Sequence, residues 1–333
     1  MWTLGIDIGK NTHNAALKDQ TGKTVFKNFK FRQDSEGFDR LIERLRQHGL
    51  APDELLVGME ATGHYWLKPY ETLRDFGYEA LVLNPLMTAA RRNVGIRGSK
   101  TDSADGELIA GLLREADLRI SAVPDEEVRD LRNLCRLRFE ASKMVRSEKQ
   151  RIRGLLDQAF PEYADHFHDL LGAASRALLA EYPTANDLAK ADVRRLTSIL
   201  EKKSRGRIGR QKAEKLKEEA KKSFCLNGAL EALGLEIQVV LQRVNLLVDQ
   251  IKMLDRKIKN FVPEEQELLK TIPGVKDVWA PTILGEAKPF FHPERKNGAR
   301  TLVAAAGLDV SESQSGQKNG AAKMSKRGSK YLR

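Results

Sequence analysis

Short apolar runs open the chain. Trp2–Gly9 predicts a strand, and Thr12–Lys18 and Thr24–Phe31, on either side of the turn sequence DQTGK, predict a hairpin beside it. Phe38, Leu41, Ile42 and Leu45 then recur at helical spacing across Phe38–Gln47. Leu55–Met59 predicts a further strand running into EATGHYW, followed by a helix over Leu67–Phe76, a strand over Glu79–Asn84 and a helix from about Thr101 to Glu115. From about Asp125 to Val262 the pattern turns almost wholly helical. Its strongest repeat is Leu233, Ile237, Val240, Val244, Leu247, Ile251, Leu254, Ile258 and Phe261, whose steps alternate four and three residues over four heptads. That spacing predicts a coiled-coil seam, for which Glu127–Phe160, in the same chain or a second subunit, is the candidate partner. After Pro263, TIPGVKDVWAPTILGE predicts two helices joined by a Pro-Gly turn, with Val275, Val278, Trp279 and Ile283 turned inward.

Three leading strands followed by alternating helix and strand is the order of a ribonuclease-H-like mixed sheet covered by helices. The expected fold is therefore α/β plus α-helical. It divides into a catalytic-type sheet domain over 1–124, a helical, coiled-coil and basic region over 125–262, and a small helical domain over 263–333. A chain of 333 residues can supply each with a core. No apolar run has the length of a membrane span. Asp7 and Lys10 interrupt the first apolar stretch, so a cytoplasmic protein without a membrane partner is expected. Cys135 and Cys225 lack metal spacing and read as buried thiols; His166 and His168 lack zinc-type partners and read as surface residues.

Charge narrows the partner. Lys and Arg number 57 against 46 acids, a net +11. The excess is concentrated: Glu201–Lys222 carries ten basic and four acidic residues, and six basic residues with no acid follow Glu312. Clustering of this kind suits a phosphate backbone, because each phosphate neutralised releases condensed counterions. Lys202, Lys203, Arg205, Arg207, Arg210 and Lys212 in the first cluster, and Lys318, Lys323, Lys326 and Arg327 in the second, are the candidate nucleic-acid contacts. The turn of TIPGV could present amides to a phosphate in the same way. Read on composition alone, the Ser-, Gly- and Lys-rich end is a flexible polar tail.

Four acids stand at positions where chemistry is built. Asp7 lies near the C-terminal end of the first strand and Glu60 at the corresponding end of Leu55–Met59. If the two strands are parallel neighbours, both carboxylates emerge at one sheet edge. Asp102 and Asp105 in KTDSADGELIAGLLRE are three apart at a helix start and share a face. Four hard oxygen donors repel one another unless a divalent cation, magnesium or manganese, lies among them. The rival reading makes Asp102 a helix N-cap and Asp105 a partner of the helix dipole. GIDIGK also resembles the first phosphate loop of the actin and sugar-kinase fold, but the second loop and adenosine motif of that fold are missing.

GID at Asp7, MEATGHYW at Glu60, LNP at Asn84, KTDSAD at Asp102 and Asp105, and IPGV at Ile272 together resemble the insertion sequence 110 family, the pilin-inversion-type DEDD transposases or bridge recombinases. The resemblance implies that Asp7, Glu60, Asp102 and Asp105 are the metal-binding tetrad of a RuvC-like domain. It also implies that Ser315, in AAAGLDVSESQSGQKNG, is the nucleophile of a C-terminal transposase domain. DNA as substrate, an element-encoded guide RNA and a homo-oligomer, dimer or tetramer, follow from the same likeness. Members of that family continue with further helices past the M-S-K-x-G block, where MSKRGSKYLR stands here, so Ser315 is expected to be held less firmly. Two other readings stay open: a RuvC-like nuclease using water, and a nucleic-acid-binding protein without catalysis.

Overall fold

The computed structural model describes residues 1–61, 63–94, 102–115, 118, 120–226, 228, 230–261, 265–290, 298–311, 314–315, 318–319 and 322–333, but not the side chains of 92–94, 102–104, 311, 314–315 and 318–319. Contacts divide the chain into two compact units, Met1–Val123 and Pro124–Arg333.

In the first unit β1 (Trp2–Asp7), β2 (Thr12–Lys18), β3 (Thr24–Arg32), β4 (Leu55–Glu60) and β5 (Glu79–Leu83) form one mixed sheet in the order β3-β2-β1-β4-β5. β1, β2 and β3 run antiparallel in sequence, while β4 and β5 run parallel to β1. Alternation along the strands gives the sheet two apolar faces. Leu4, Ile6, Val57, Met59 and Val82 join Phe38, Leu41, Ile42 and Leu45 of α1 (Ser35–Gln47), a helix capped by the Asp34 carboxylate, which accepts from the Gly37 amide. The other face is built for close approach. There α4 (Asp102–Leu112), which follows α2 (Leu67–Asp75) and α3 (Pro85–Val94), packs Ile109, Leu112 and Leu113 against Leu83. A Cβ on Gly5 would lie 2.1 Å from the Gly106 carbonyl oxygen and 2.3 Å from the Ala110 nitrogen, and one on Gly58 would meet Leu113 at 2.7 Å. Glycine at both positions, paired across β1 and β4, lets α4 settle on the strands.

The second unit is dominated by α5 (Glu126–Ala159), whose chain then passes through α6 (Ala173–Glu181), α7 (Ala185–Lys190), α8 (Val193–Ser204) and α9 (Arg210–Lys222) before returning as α10 (Leu230–Phe261). The pairs Arg138–Asp255, Glu148–Arg243 and Arg151–Glu236 run in opposite order along the two long helices, which are therefore antiparallel. Of the repeat residues, Ile237, Val240, Val244, Leu254 and Ile258 are buried, Leu233, Leu247 and Ile251 half-buried, and Phe261 exposed. α5, the 3₁₀ turn Pro161–His166 and the four short helices supply cover within the chain, including Ile152, Leu156, Tyr163, Leu178, Leu200 and Leu216. Burial of the repeat thus does not by itself call for a second subunit.

α11 (Glu265–Lys270) and α12 (Trp279–Ala287) form the expected pair around a Pro273-Gly274 turn, with Gly274 at φ +89°. The inward face differs from the expectation. Val278 and Trp279 are 40% and 46% exposed, Val275 and Ile283 are half-buried, and Ala280, Pro281, Leu284 and Ala287 form the buried stripe. The cause is contact with α5: a Cβ on Gly285 would lie 3.0 Å from the Arg132 Cα, so the small residues must face inward. The chain closes with α13 (Gly298–Ala306) and two antiparallel ribbons, β6 (Val310–Ser311) with β9 (Lys323–Met324) and β7 (Gln314–Ser315) with β8 (Lys318–Asn319).

Residues 322–333 are not a loose tail. Tyr331 packs edge-on to Phe139 and donates to Glu140, which Lys330 also reaches at 2.7 Å. Arg333 donates to the Ala306 carbonyl at 2.9 Å. A Cβ on Gly328 would fall 2.1 Å from the Ala305 carbonyl oxygen, so the terminal segment lies directly on the end of α13. Among the described residues no helix is long and apolar enough to cross a membrane.

Candidate active site at the sheet edge

The register Ile6↔Met59 on parallel strands places Asp7 and Glu60, one residue further on, at neighbouring strand ends. Both follow the paired glycines by two residues, so alternation turns them to the face that α4 covers. The helix runs back along β1. Its Arg114 end donates to the Asp19 and Gln20 carbonyls at 2.9 and 2.6 Å, at the far end of the strands. A Cβ on Gly106 would lie 3.1 Å from the carbonyl oxygen of Asn14, the residue paired with Asp7. The start of α4, carrying Asp102 and Asp105, thus lies toward the edge where Asp7 and Glu60 end their strands. Asp105 is 8% exposed.

Other contacts fix these elements. Thr88, fully buried on α3, donates to Glu60 Oε2 at 2.7 Å. Thr24 donates to Glu107 at 2.6 Å, which holds that carboxyl below its usual range despite burial, and Lys18 lies 3.6 Å away. Among the described residues no three His, Cys, Asp or Glu side chains gather closely enough to hold a metal ion. The Asp102 side chain lies outside the described residues. Hard carboxylates, with no thiol or imidazole among the four, nonetheless suit magnesium or manganese better than zinc.

Ser315 pairs with Lys318 across the β7–β8 ribbon; the side chains of both lie outside the described residues. Two serines further along the same segment are engaged by carboxylates. Ser325 donates to Asp309 at 2.5 Å, and Ser329 donates to Glu286 at 3.0 Å. Glu286, 3% exposed, also takes a two-pronged bond from Arg136 at 2.5 and 2.9 Å, a junction that joins α5, α12 and the terminal segment. Sequence spacing gave no sign of this junction, because its partners stand about 150 residues apart in the chain.

The basic cluster spans the end of α8 and the start of α9. Lys202, Lys203, Arg205, Arg207 and Arg210 are exposed; Arg205, at φ +57°, turns the chain between the helices, and Arg210 pairs with Glu214. Lys212 is half-buried, its ammonium 6.0 Å from the Phe167 ring centre, and burial lowers its pKa. Lys323, Lys326 and Arg327 are exposed on the second cluster. His168 is at the surface as expected, but His166 is not: it is 7% exposed and bonds to Glu219 at 2.5 Å. A short 3₁₀ turn after α5 folds His166 under α9, which local sequence did not reveal. Cys135 is buried, its thiol pushed up to about 11 by burial, whereas Cys225 is only half-buried.

Two transposase family models match this chain. One, of the DEDD type, matches residues 4–161 and therefore includes all four acids; the other, described as the transposase IS116/IS110/IS902 family, matches 266–333 and includes Ser315. The chain belongs to the IS110 family of transposases. Among its relatives, the pilin gene-inverting proteins of Moraxella bovis and Moraxella lacunata are each 32% identical over 108 residues, 32% of this chain. The match covers about a third of the length of each of those proteins. An insertion element IS116 uncharacterized 44.8 kDa protein from Streptomyces clavuligerus is 26% identical over 324 residues, 95% of this chain and 78% of its own length.

Proposed function

We propose that the protein is a DNA recombinase of the transposase type, which cuts and rejoins phosphodiesters with the acids Asp7, Glu60, Asp102 and Asp105 and the nucleophile Ser315. The observation that carries this reading is the convergence of two parallel strand ends and the start of α4 toward one edge, in a chain matched by two transposase models. The mixed sheet is compatible with a ribonuclease-H-like, RuvC-type domain over 1–124. Residues 125–262 would form the coiled-coil and nucleic-acid-holding part, and 263–333 the serine-bearing part.

Asp7, Glu60, Asp102 and Asp105 would hold Mg²⁺ or Mn²⁺, which when bound supplies charge stabilisation to the phosphodiester. The protein's own residues have separate tasks. The Ser315 hydroxyl attacks the phosphorus as a deoxyribose oxygen leaves, so the energy of the broken ester is kept in a phosphoserine link for rejoining. Lys318 and Lys323 stand close in sequence to offset the added charge. Lys202, Lys203, Arg205, Arg207, Arg210 and Lys212, with Lys326 and Arg327, would grip the nucleic-acid backbone. By family likeness the partners include an element-encoded guide RNA and further copies of the chain, the acids of one subunit meeting the serine of another.

The test is a recombination assay on a plasmid bearing the gene with its flanking DNA, with Asp7→Asn and Asp105→Asn alongside the unaltered protein. Magnesium-dependent recombination that both substitutions abolish is expected, together with loss of Mn²⁺ binding by electron paramagnetic resonance. Recombination that persists in both variants would exclude the acid site. Sequencing the copurifying nucleic acid tests the guide: a discrete RNA from the element's flank is expected, and only random host RNA would count against it.

A further inference from the structure

After α9 the chain runs as an extended segment, Ser223–Leu226, fastened at three points. Ser223 donates its hydroxyl to Glu162 Oε2 at 2.6 Å, the Phe224 amide donates to Glu162 Oε1 at 3.0 Å, and the Leu226 amide donates to the Gln158 carbonyl at 3.0 Å. Both oxygens of one carboxylate thus hold the backbone around Phe224. Burial pushes the Glu162 carboxyl up, but the bonds from the Phe224 amide, the Ser223 hydroxyl and its own backbone amide together keep it below its usual range, so the clamp is ionised at neutral pH.

On this fixed segment the Phe224 side chain is 94% exposed, more than any other large apolar residue among those described. A ring on a slack loop could fold back onto the protein; this one is held out by its backbone. Its surroundings indicate what it meets. Lys221 and Lys222 stand three and two residues before it, both exposed, Lys221 in a surface ion pair with Glu218 at 2.7 Å, at the end of the stretch that carries six more basic than acidic residues. A bare aromatic ring beside cations matches the two needs of an unpaired nucleotide, a face to stack on and a charge for its phosphate. An apolar protein surface would gain the ring but bury two ammonium groups.

We propose that Phe224 is a stacking platform for an unpaired base of single-stranded nucleic acid, with Lys221 and Lys222 at the flanking phosphates. This rests on the reading of the protein as nucleic-acid-binding and identifies one point of contact. The test measures binding of a labelled oligouridine and of a DNA duplex of equal length across a salt series, for the full chain and for Phe224→Ala, Phe224→Leu and Phe224→Trp. The Ala and Leu variants should bind oligouridine about tenfold more weakly with the salt slope and duplex binding unchanged. The Trp variant should bind like the unaltered chain, its added fluorescence quenched on binding. Equal oligouridine binding by the Ala variant and the unaltered chain, or recovery by Leu as complete as by Trp, would overturn stacking while leaving nucleic-acid binding intact. A change of mass by light scattering in the Ala variant, without a change of affinity, would place a protein there instead. If the unaltered chain binds neither probe, the underlying reading fails first.

Discussion

Gly5 and His166 show how single residues set this structure. Adding one methyl at Gly5 would drive a carbon to 2.1 Å from a backbone oxygen of α4, and neither strand nor helix can yield cheaply. Gly5→Ala should lower stability by about 1–3 kcal/mol, read from urea unfolding of the first unit. A smaller loss than about 0.5 kcal/mol would mean that α4 is not seated on β1 as described. His166 makes a pH prediction. Burial depresses its pKa below the usual 6.5, against the pull of Glu219. The folded chain therefore keeps it neutral where the unfolded chain takes up a proton. Its contribution is complete above about pH 6.5 and is lost as the pH falls toward the folded value. The melting temperature of the second unit should drop between about pH 7 and 5, and His166→Asn should flatten that drop. An unchanged slope in the variant would contradict the burial.

At the scale of elements, the long helices were plain in the sequence. Four-and-three spacing from Leu233 to Phe261 marked α10, and α5 fell within a residue of the expected Glu127–Phe160. The strands were equally legible, because β1, β4 and β5 carry continuous apolar runs, covered on both faces. What spacing could not supply was the partner of each face. The repeat on α10 could have met a second subunit, but α5 and the short helices cover Ile237, Val240 and Val244 within the chain, and Leu131, Cys135 and Leu284 cover Ile258. Ile237→Ala, at a fully buried position, should cost about 2–5 kcal/mol in the second unit and leave the unfolding of the first unchanged. Trp279 lies outside rather than inside for a related reason: helical periodicity gives a stripe, but the close contact of Gly285 with Arg132 decides which stripe is inside. The terminal segment was illegible because its anchors, Glu140 and Glu286, lie far back in the chain.

For the whole molecule, the placement of Asp7 and Glu60 at neighbouring strand ends is readable in the sequence, since parallel neighbours put both at one edge. The start of α4 reached that edge only through tertiary packing, which no local pattern encodes. Charge was legible as two clusters, though Lys330 and Arg333 turn out to bind the protein itself. The proposed function assigns acids in the first unit and Ser315 in the second, so it is tested best by a product that needs them all. That measurement is the trapping of a covalent protein–DNA adduct in magnesium from the unaltered chain, Ser315→Ala, Ser325→Ala and Asp105→Asn. The adduct should form in the unaltered chain and in Ser325→Ala and vanish in the other two. An adduct that survives Ser315→Ala, or DNA cleavage that proceeds with none, would contradict the account.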